Sequence, residues 1–172
     1  IEERGPIAPA LRAQVGEWAF GCDICQEVCP YNRHATPTAE PDFAPARGAG
    51  ASLDLALVLA LGDRDAFLAR FAGTPLTRPR REGLVRNACL AAAHTGRRDL
   101  VPQLTARLCD DDSALVRAHA AWALARLGGV RHPGDTPDPE ARAALARAHA
   151  TERDPDVRAE ITAGLAGEGT AA

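Results

Sequence analysis

Residues 110–128 read DDDSALVRAHAAWALARLG, an acidic opening followed by an unbroken run of helix formers. An aspartate in a first helical turn accepts orphan backbone N–H groups and sits at the positive end of the helix dipole. The reading therefore predicts a helix that opens near Asp110-Asp111-Asp112, sends Val116 into a core and leaves Arg117 to reach an aspartate in a neighbouring unit. The signature recurs. Leu84-Val85-Arg86 sits near the start of another apolar helix, and Asp154-Pro155-Asp156 leads into Val157-Arg158. The Val-Arg pairs are 31 and then 41 residues apart, and removing a Gly/Pro-rich insertion from about Gly129 to Pro139 restores the second interval to near the first.

Helix pairs of this length bury their apolar faces only by stacking on neighbours, which fits a HEAT-like α-solenoid. In that frame Arg117 and Arg158 read first as rungs of a ladder between repeats and second as ligand contacts. Trp122 reads as a core filler among alanines, and Cys89 and Cys109 as small buried hydrophobes. Leu53, Ala56, Leu57, Ala60 and Leu61 recur at helical spacing and predict one apolar face. Gly62-Asp63 reads as a stop and a new cap, with a helix over Asp65 to Phe71, and Pro75 and Pro79 exclude a helix through the following loop. No apolar run reaches the roughly 18 residues that span a bilayer. Residues 52–172 are expected to form the helical repeat domain.

The other informative stretch is GCDICQEVCPYNR, residues 21–33. Cys22, Cys25 and Cys29, closed by Pro30, match the last three cysteines of a ferredoxin run whose final thiolate ligates a second cluster. Two 4Fe-4S cubes take about eight thiolates, and the chain has five cysteines, so at least three ligands are expected elsewhere. A zinc site would want a second pair of cysteines or histidines; Cys89 and Cys109 stand alone and His34 is a single candidate. Zinc and a structural or disulfide role remain the alternatives. The chain has no methionine and opens on Ile1-Glu2-Glu3, and it is read as the C-terminal piece of something longer. Residues 1–33 would form a partial cluster module with a short helix near Ile7 to Glu17. Residues 34–51, rich in proline and without hydrophobic period, form a linker. The cysteine usage suits a reducing cytosol.

A net charge of −3 excludes a uniformly basic nucleic-acid binder, but Arg78, Arg80, Arg81 and Arg86 fall within nine positions. With Asn87 they occupy a loop and a helix start, where guanidinium groups and free N–H groups favour phosphate. The alternative is a solvated face balanced by Glu82 and Asp99. Every basic residue apart from histidine is arginine, which reflects base composition rather than chemistry.

Three separated stretches carry a resemblance: GPIAPALRAQVGEWAFGCDICQEVCPYNR, FAGTPLTRPRREGLVRNA and VRAHAAWALARLG. In this order they cover most of residues 5 to 128, and the chain resembles the C-terminal portion of the epoxyqueuosine reductase family. The resemblance implies a mainly α chain, the C-terminal half of a dicluster ferredoxin-like module followed by a HEAT-like solenoid. It implies a parent that reduces an epoxide on a modified wobble base of tRNA, passing electrons through two 4Fe-4S clusters to cobalamin. By the same resemblance Cys22 and Cys25 ligate the second cluster with two upstream cysteines, and Cys29 crosses to the first. Asp23 approaches the corrin, and Arg4 meets the RNA together with Arg78, Arg80, Arg81, Arg86 and Asn87. Tyr31 departs from the family's tryptophan after Cys-Pro while keeping an aromatic shield. The family's catalytic acid lies outside this stretch, so no catalytic residue is expected here and the piece alone should be inactive. A monomeric cytoplasmic protein with an electron donor of unknown identity follows. A dicluster module of another corrinoid or flavin oxidoreductase and a helical interaction scaffold are the competing readings.

Overall fold

Aspartate side chains cap the starts of four helices. In the computed structural model, which describes residues 3–44, 48–50, 52–129 and 137–167, Asp54 accepts from Ala56 N at 2.9 Å and Asp63 from Ala66 N at 2.7 Å. Asp138 and Asp154 each accept two N–H groups. These caps open α3 (Leu55–Leu59), α4 (Arg64–Phe71), α8 (Pro139–Thr151) and α9 (Pro155–Ala166). Pro139 and Pro155 at the first helical position fix φ where no N–H is needed. Before them lie α1 (Pro9–Val15) and α2 (Ile24–Glu27); between α4 and α8 lie α5 (Arg80–His94), α6 (Val101–Asp110) and α7 (Ala114–Gly128). Short 3-10 turns cover Pro30–His34, Pro41–Phe43, Pro75–Thr77 and Arg98–Leu100. The described residues contain no strand, and no helix among them is long and apolar enough to cross a membrane.

The helices stack in two rows. α5, α7 and α9 pack side by side, α6 and α8 form the second row, and α7 touches all four. Alanines on α7 let its neighbours approach: Gly164 of α9 lies so close that an added Cβ would come within 2.7 Å of Ala125 Cβ. A methyl there would have to part the two helices. Leu84, Leu90, Leu104, Leu124, Leu145 and Ile161 are fully buried between the rows.

The ladder between repeats is present with different rungs from those expected. Asp111 does not cap α7: Ser113 holds the N-cap position without a side-chain bond. The Asp111 carboxylate, fully buried, instead accepts from Ser113 N, from Arg107 at 3.0 Å and from both terminal nitrogens of Arg81. Arg81 Nε also donates to Leu61 O at 2.9 Å. This one carboxylate thus joins the end of α3, the start of α5, the end of α6 and the start of α7. Arg117 reaches forward to Glu152, not to an aspartate, at 2.8 and 3.2 Å. Burial pushes the Glu152 carboxyl up, but Arg117 together with the N–H groups of Asp154 and Arg153 outweighs this and holds it below the usual range. Arg158 donates to the backbone oxygens of Glu152 and His149.

The α3 face also differs. The helix ends at Leu59, so Val58, Leu59 and Leu61 are buried while Leu57 is 46% exposed. Five helical residues cannot display the longer period, and packing on α5 and α6 decides which side faces in. The insertion expected from Gly129 to Pro139 falls mostly at 130–136, outside the described residues.

Candidate functional site

The N-terminal stretch lies across the α5–α7–α9 row, held by buried polar groups. Arg12 of α1, 3% exposed, donates to Ile7 O at 2.8 Å and forms a two-pronged pair with Glu160 of α9 at 2.6 and 3.0 Å. His94 Nε2–H on α5 donates to Arg12 O at 2.8 Å. On α7, His119 Nε2 accepts from Ile7 N–H at 3.2 Å, so its proton sits on Nδ1 and goes to Leu115 O at 2.8 Å. Arg86 donates to Glu3 O at 3.1 Å and Gly5 O at 2.6 Å, and Asn87 Nδ2 donates to Ala19 O at 2.9 Å. Trp122, read as plain core, sits amid these groups, with the guanidinium of Arg126 5.0 Å and that of Arg12 5.7 Å from its ring centre and the His94 ring at 5.8 Å. Such stacking adds a cation–π component to its burial.

Sequence reasoning missed Arg12, His94, His119 and Glu160. The available signal was His119, a polar residue set three positions after Val116 on an otherwise apolar face. Burial, then the nearby charges of Arg12 and Arg86, outweigh its bond to Leu115 and push its pKa down to about 4 from 6.5. Below pH 6.5 the unfolded chain therefore takes up a proton that the folded chain refuses until about pH 4. The stabilising contribution is complete above the upper value and falls away towards the lower one, in total by about 3 kcal/mol. Thermal melts of wild type and His119→Gln at about pH 7.5 and about pH 5 will show a much flatter pH response in the variant. Equal decline in both would assign the acid sensitivity to other groups.

Three residues beyond Ala19 the chain enters the cysteine loop. Asp23, with φ 50 in the left-handed region, turns the backbone into α2, and its carbonyl accepts from Gln26 N at 2.8 Å and Glu27 N at 2.9 Å. Aspartate tolerates that conformation better than most residues. Its exposed carboxylate makes no capping bond. Cys22 and Cys25 are exposed and Cys29 is half-buried, all as free thiols. The three do not converge on one centre: no group of three or more His, Cys, Asp and Glu side chains among the described residues could hold a metal ion. Cys89 is wholly buried, and burial pushes its thiol up to about 12, so it stays protonated and unfit to ligate. Cys109 on α6, expected to be buried, is exposed instead; partial desolvation and then the Asp110 charge push its thiol up as well. The donor set thus comprises two exposed thiols and one half-buried thiol from one loop, suited to iron and sulfide, with fewer than the four that one cube needs meeting at any point among the described residues.

The arginine group divides. Arg81, Arg86 and Asn87 are 5%, 1% and 8% exposed and bind internal partners, so the structure removes them from the anion-facing surface expected of them. Arg78 and Arg80 are exposed, and Arg4 Nη1 donates to Arg78 O, which brings Arg4 beside this loop. Arg80 opens α5 with φ 60, an uncommon conformation for a residue with a long side chain.

A profile of HEAT repeats matches residues 77–166. The chain is 40% identical over 131 residues to the epoxyqueuosine reductase of Xanthomonas campestris, covering 74% of this chain and 36% of that protein. It is 30% identical over 168 residues to the epoxyqueuosine reductase of Bacillus subtilis, covering 95% and 40%. Among solved structures it superposes on a crystal structure of epoxyqueuosine reductase with a tRNA-Tyr epoxyqueuosine-modified tRNA stem loop, with TM-score 0.80 and 27% identity, over 96% of this chain and 41% of that one. The chain spans about two fifths of the length of these relatives. Its stacked rows and the profile match together make it a member of the HEAT-repeat family, homologous to part of the epoxyqueuosine reductases.

Proposed function

We propose that this chain is the iron–sulfur and tRNA-docking portion of a cytoplasmic, cobalamin-dependent reductase that converts epoxyqueuosine in tRNA to queuosine. The observation that carries this reading is that a loop of exposed cysteines is fastened, through Arg86 and Asn87, to the same helix whose first turn bears the arginine loop. Cys22 and Cys25 would hold one cluster with thiolates from the rest of the reductase, and Cys29 would serve the other; that the three thiols do not meet supports this division. The clusters would supply one-electron transfer to the corrin. Asp23, with its carboxylate uncapped and exposed, is suited to face that corrin. Leu11, Trp18, Ile24, Val28, Tyr31 and Phe43, before, within and after the loop in the sequence, are exposed, large apolar side chains of the kind that another protein layer covers.

Docking would fall to Arg4, Arg78 and Arg80. The left-handed backbone at Arg80 costs of order 1–2 kcal/mol, and strain of that kind persists at binding sites. The test is tRNA affinity of the complete reductase across a salt series. Arg78→Ala and Arg80→Ala will each weaken binding and lower the log–log slope by roughly 0.7–0.9 for each phosphate that the protein ceases to neutralise. Arg97→Ala, beyond the opposite end of α5 and paired with Asp99, will change neither. Unaltered affinity and slope in both loop variants would return those arginines to a solvated face.

A further inference from the structure

Arg86 is a buried cation with no buried anion. Its guanidinium is 1% exposed, and every hydrogen-bond partner is neutral: Glu3 O, Gly5 O and, at 3.0 Å from both Nε and Nη2, Asn87 Oδ1. No carboxylate among the described residues lies within ion-pair distance of it, and of the exposed charges closest to it Glu3 and Arg4 act in opposite directions. The contrast with Arg81 and Arg12 is direct, since each of those meets a carboxylate with two nitrogens. Enclosing a charge costs several kcal/mol unless an opposite charge is enclosed with it. Carbonyl dipoles and the Glu3 carboxylate offset part of that, yet burial still holds the Arg86 pKa below its ordinary value, so a further anion would be stabilising there.

The cleft that Arg86 lines supplies a place for one. It has a volume of about 510 Å³, and its lining includes Trp18, Phe20, Cys22, Arg86 and Asn87 together with the exposed Glu3, whose carboxylate accepts from Gly5 N at 2.7 Å. Cys22 and Arg86 thus border the same small cavity. Asn87 ties the two together, accepting from Arg86 and donating to Ala19 O, three residues before Cys22.

We propose that Arg86 is the fixed counter-charge of the thiolate-bound iron–sulfur cluster at Cys22, holding that cluster's reduction potential above the value it would have without it. This rests on the cluster assignment made above. A cube with thiolate ligands is anionic and gains one further negative charge on reduction, with no change at Arg86. A fixed cation that is itself shielded from water therefore favours the reduced form, since burial of the guanidinium limits its screening. Exposed Arg78 is screened by water and salt and contributes little. Arg86 is a positioning and tuning residue here, since its own bonds go to backbone and to Asn87.

The test is a redox titration of both clusters in the complete reductase, followed by EPR with iron analysis alongside. Arg86→Gln will shift one midpoint to a more negative value with iron content retained, and Arg86→Lys will keep it near that of wild type. Asn87→Asp keeps the acceptor facing Arg86 but neutralises the cation in place, and will lower the same midpoint; this variant decides the matter should Arg86→Gln lose iron. Arg78→Ala will leave both midpoints unmoved. An unchanged midpoint in Asn87→Asp, or an equal fall in Arg86→Lys and Arg86→Gln, overturns the proposal and leaves Arg86 a purely structural latch. Absence of any cluster signal in wild type would instead overturn the cluster assignment itself.

Discussion

Asp111→Asn will destabilise the helical domain by about 3–5 kcal/mol, the range expected when one partner of a buried ion pair is removed. Two guanidinium groups converge on this carboxylate: Arg81 is 5% exposed and Arg107 13%, and Asp111 itself is fully enclosed. Asparagine keeps the shape but leaves both cations with no anion, and its amide N–H₂ group would face a donor. At a few degrees for each kcal/mol in a domain of this size, the melting temperature should fall by more than about 10 °C. Urea denaturation and thermal melts measure it. Asp99→Asn is the companion variant: Arg97 and Asp99 also form a close pair, at 2.7 Å, but both side chains are exposed, and exposed pairs contribute little. A small loss from Asp111→Asn, comparable with that from Asp99→Asn, would mean that neighbouring groups or water compensate the two arginines and that the ladder is not the joint it resembles.

The contrast between Arg81 and Arg86 shows what a sequence can carry. The Val-Arg spacing, the acidic caps at Asp138 and Asp154 and the cysteine run are local patterns, and each is legible because its physical cause lies within a few residues. Four arginines within nine positions look like one patch for the same reason. On a helix, however, they point in different directions, and their fate is decided by partners far along the chain: Asp111 for Arg81, thirty residues away, and Gly5 for Arg86, 81 residues away. The partners of His119 and Glu160 were illegible on the same ground, although the polarity of His119 on an apolar face was itself a signal. What the two bind shows only when Ile7 and Arg12 arrive over the row. Asp111 itself misled because three aspartates before a helix satisfy the capping rule; the buried arginines compete for the carboxylate and leave the cap to Ser113. On α3 a sound apolar period was cut short by the Gly62-Asp63 stop, so packing rather than periodicity chose the buried face.

The complete reductase will bind about eight irons, and replacing single cysteines of the loop will remove them in sets. Cys22→Ser and Cys25→Ser will each deplete one cluster, because serine is a poorer ligand for iron and both thiols project from the turn that Asp23 and α2 create. Cys29→Ser will deplete the other. Cys29 lies past the end of α2, just before Pro30 opens a 3-10 turn, and it is partly covered where the first two are not; the cysteine before the proline is the crossed ligand of a two-cluster ferredoxin run. Cys89→Ser makes the control, since that thiol is enclosed in α5 and stays protonated, and iron content will not change. Iron and sulfide analysis gives the stoichiometry, and EPR of the reduced protein distinguishes which cluster is left. Two outcomes carry different meanings. Depletion of the same cluster by all three serine variants would place Cys29 with Cys22 and Cys25 and end the crossed-ligand reading. Full iron content in every variant would detach the loop from iron altogether, and with it the counter-charge role of Arg86.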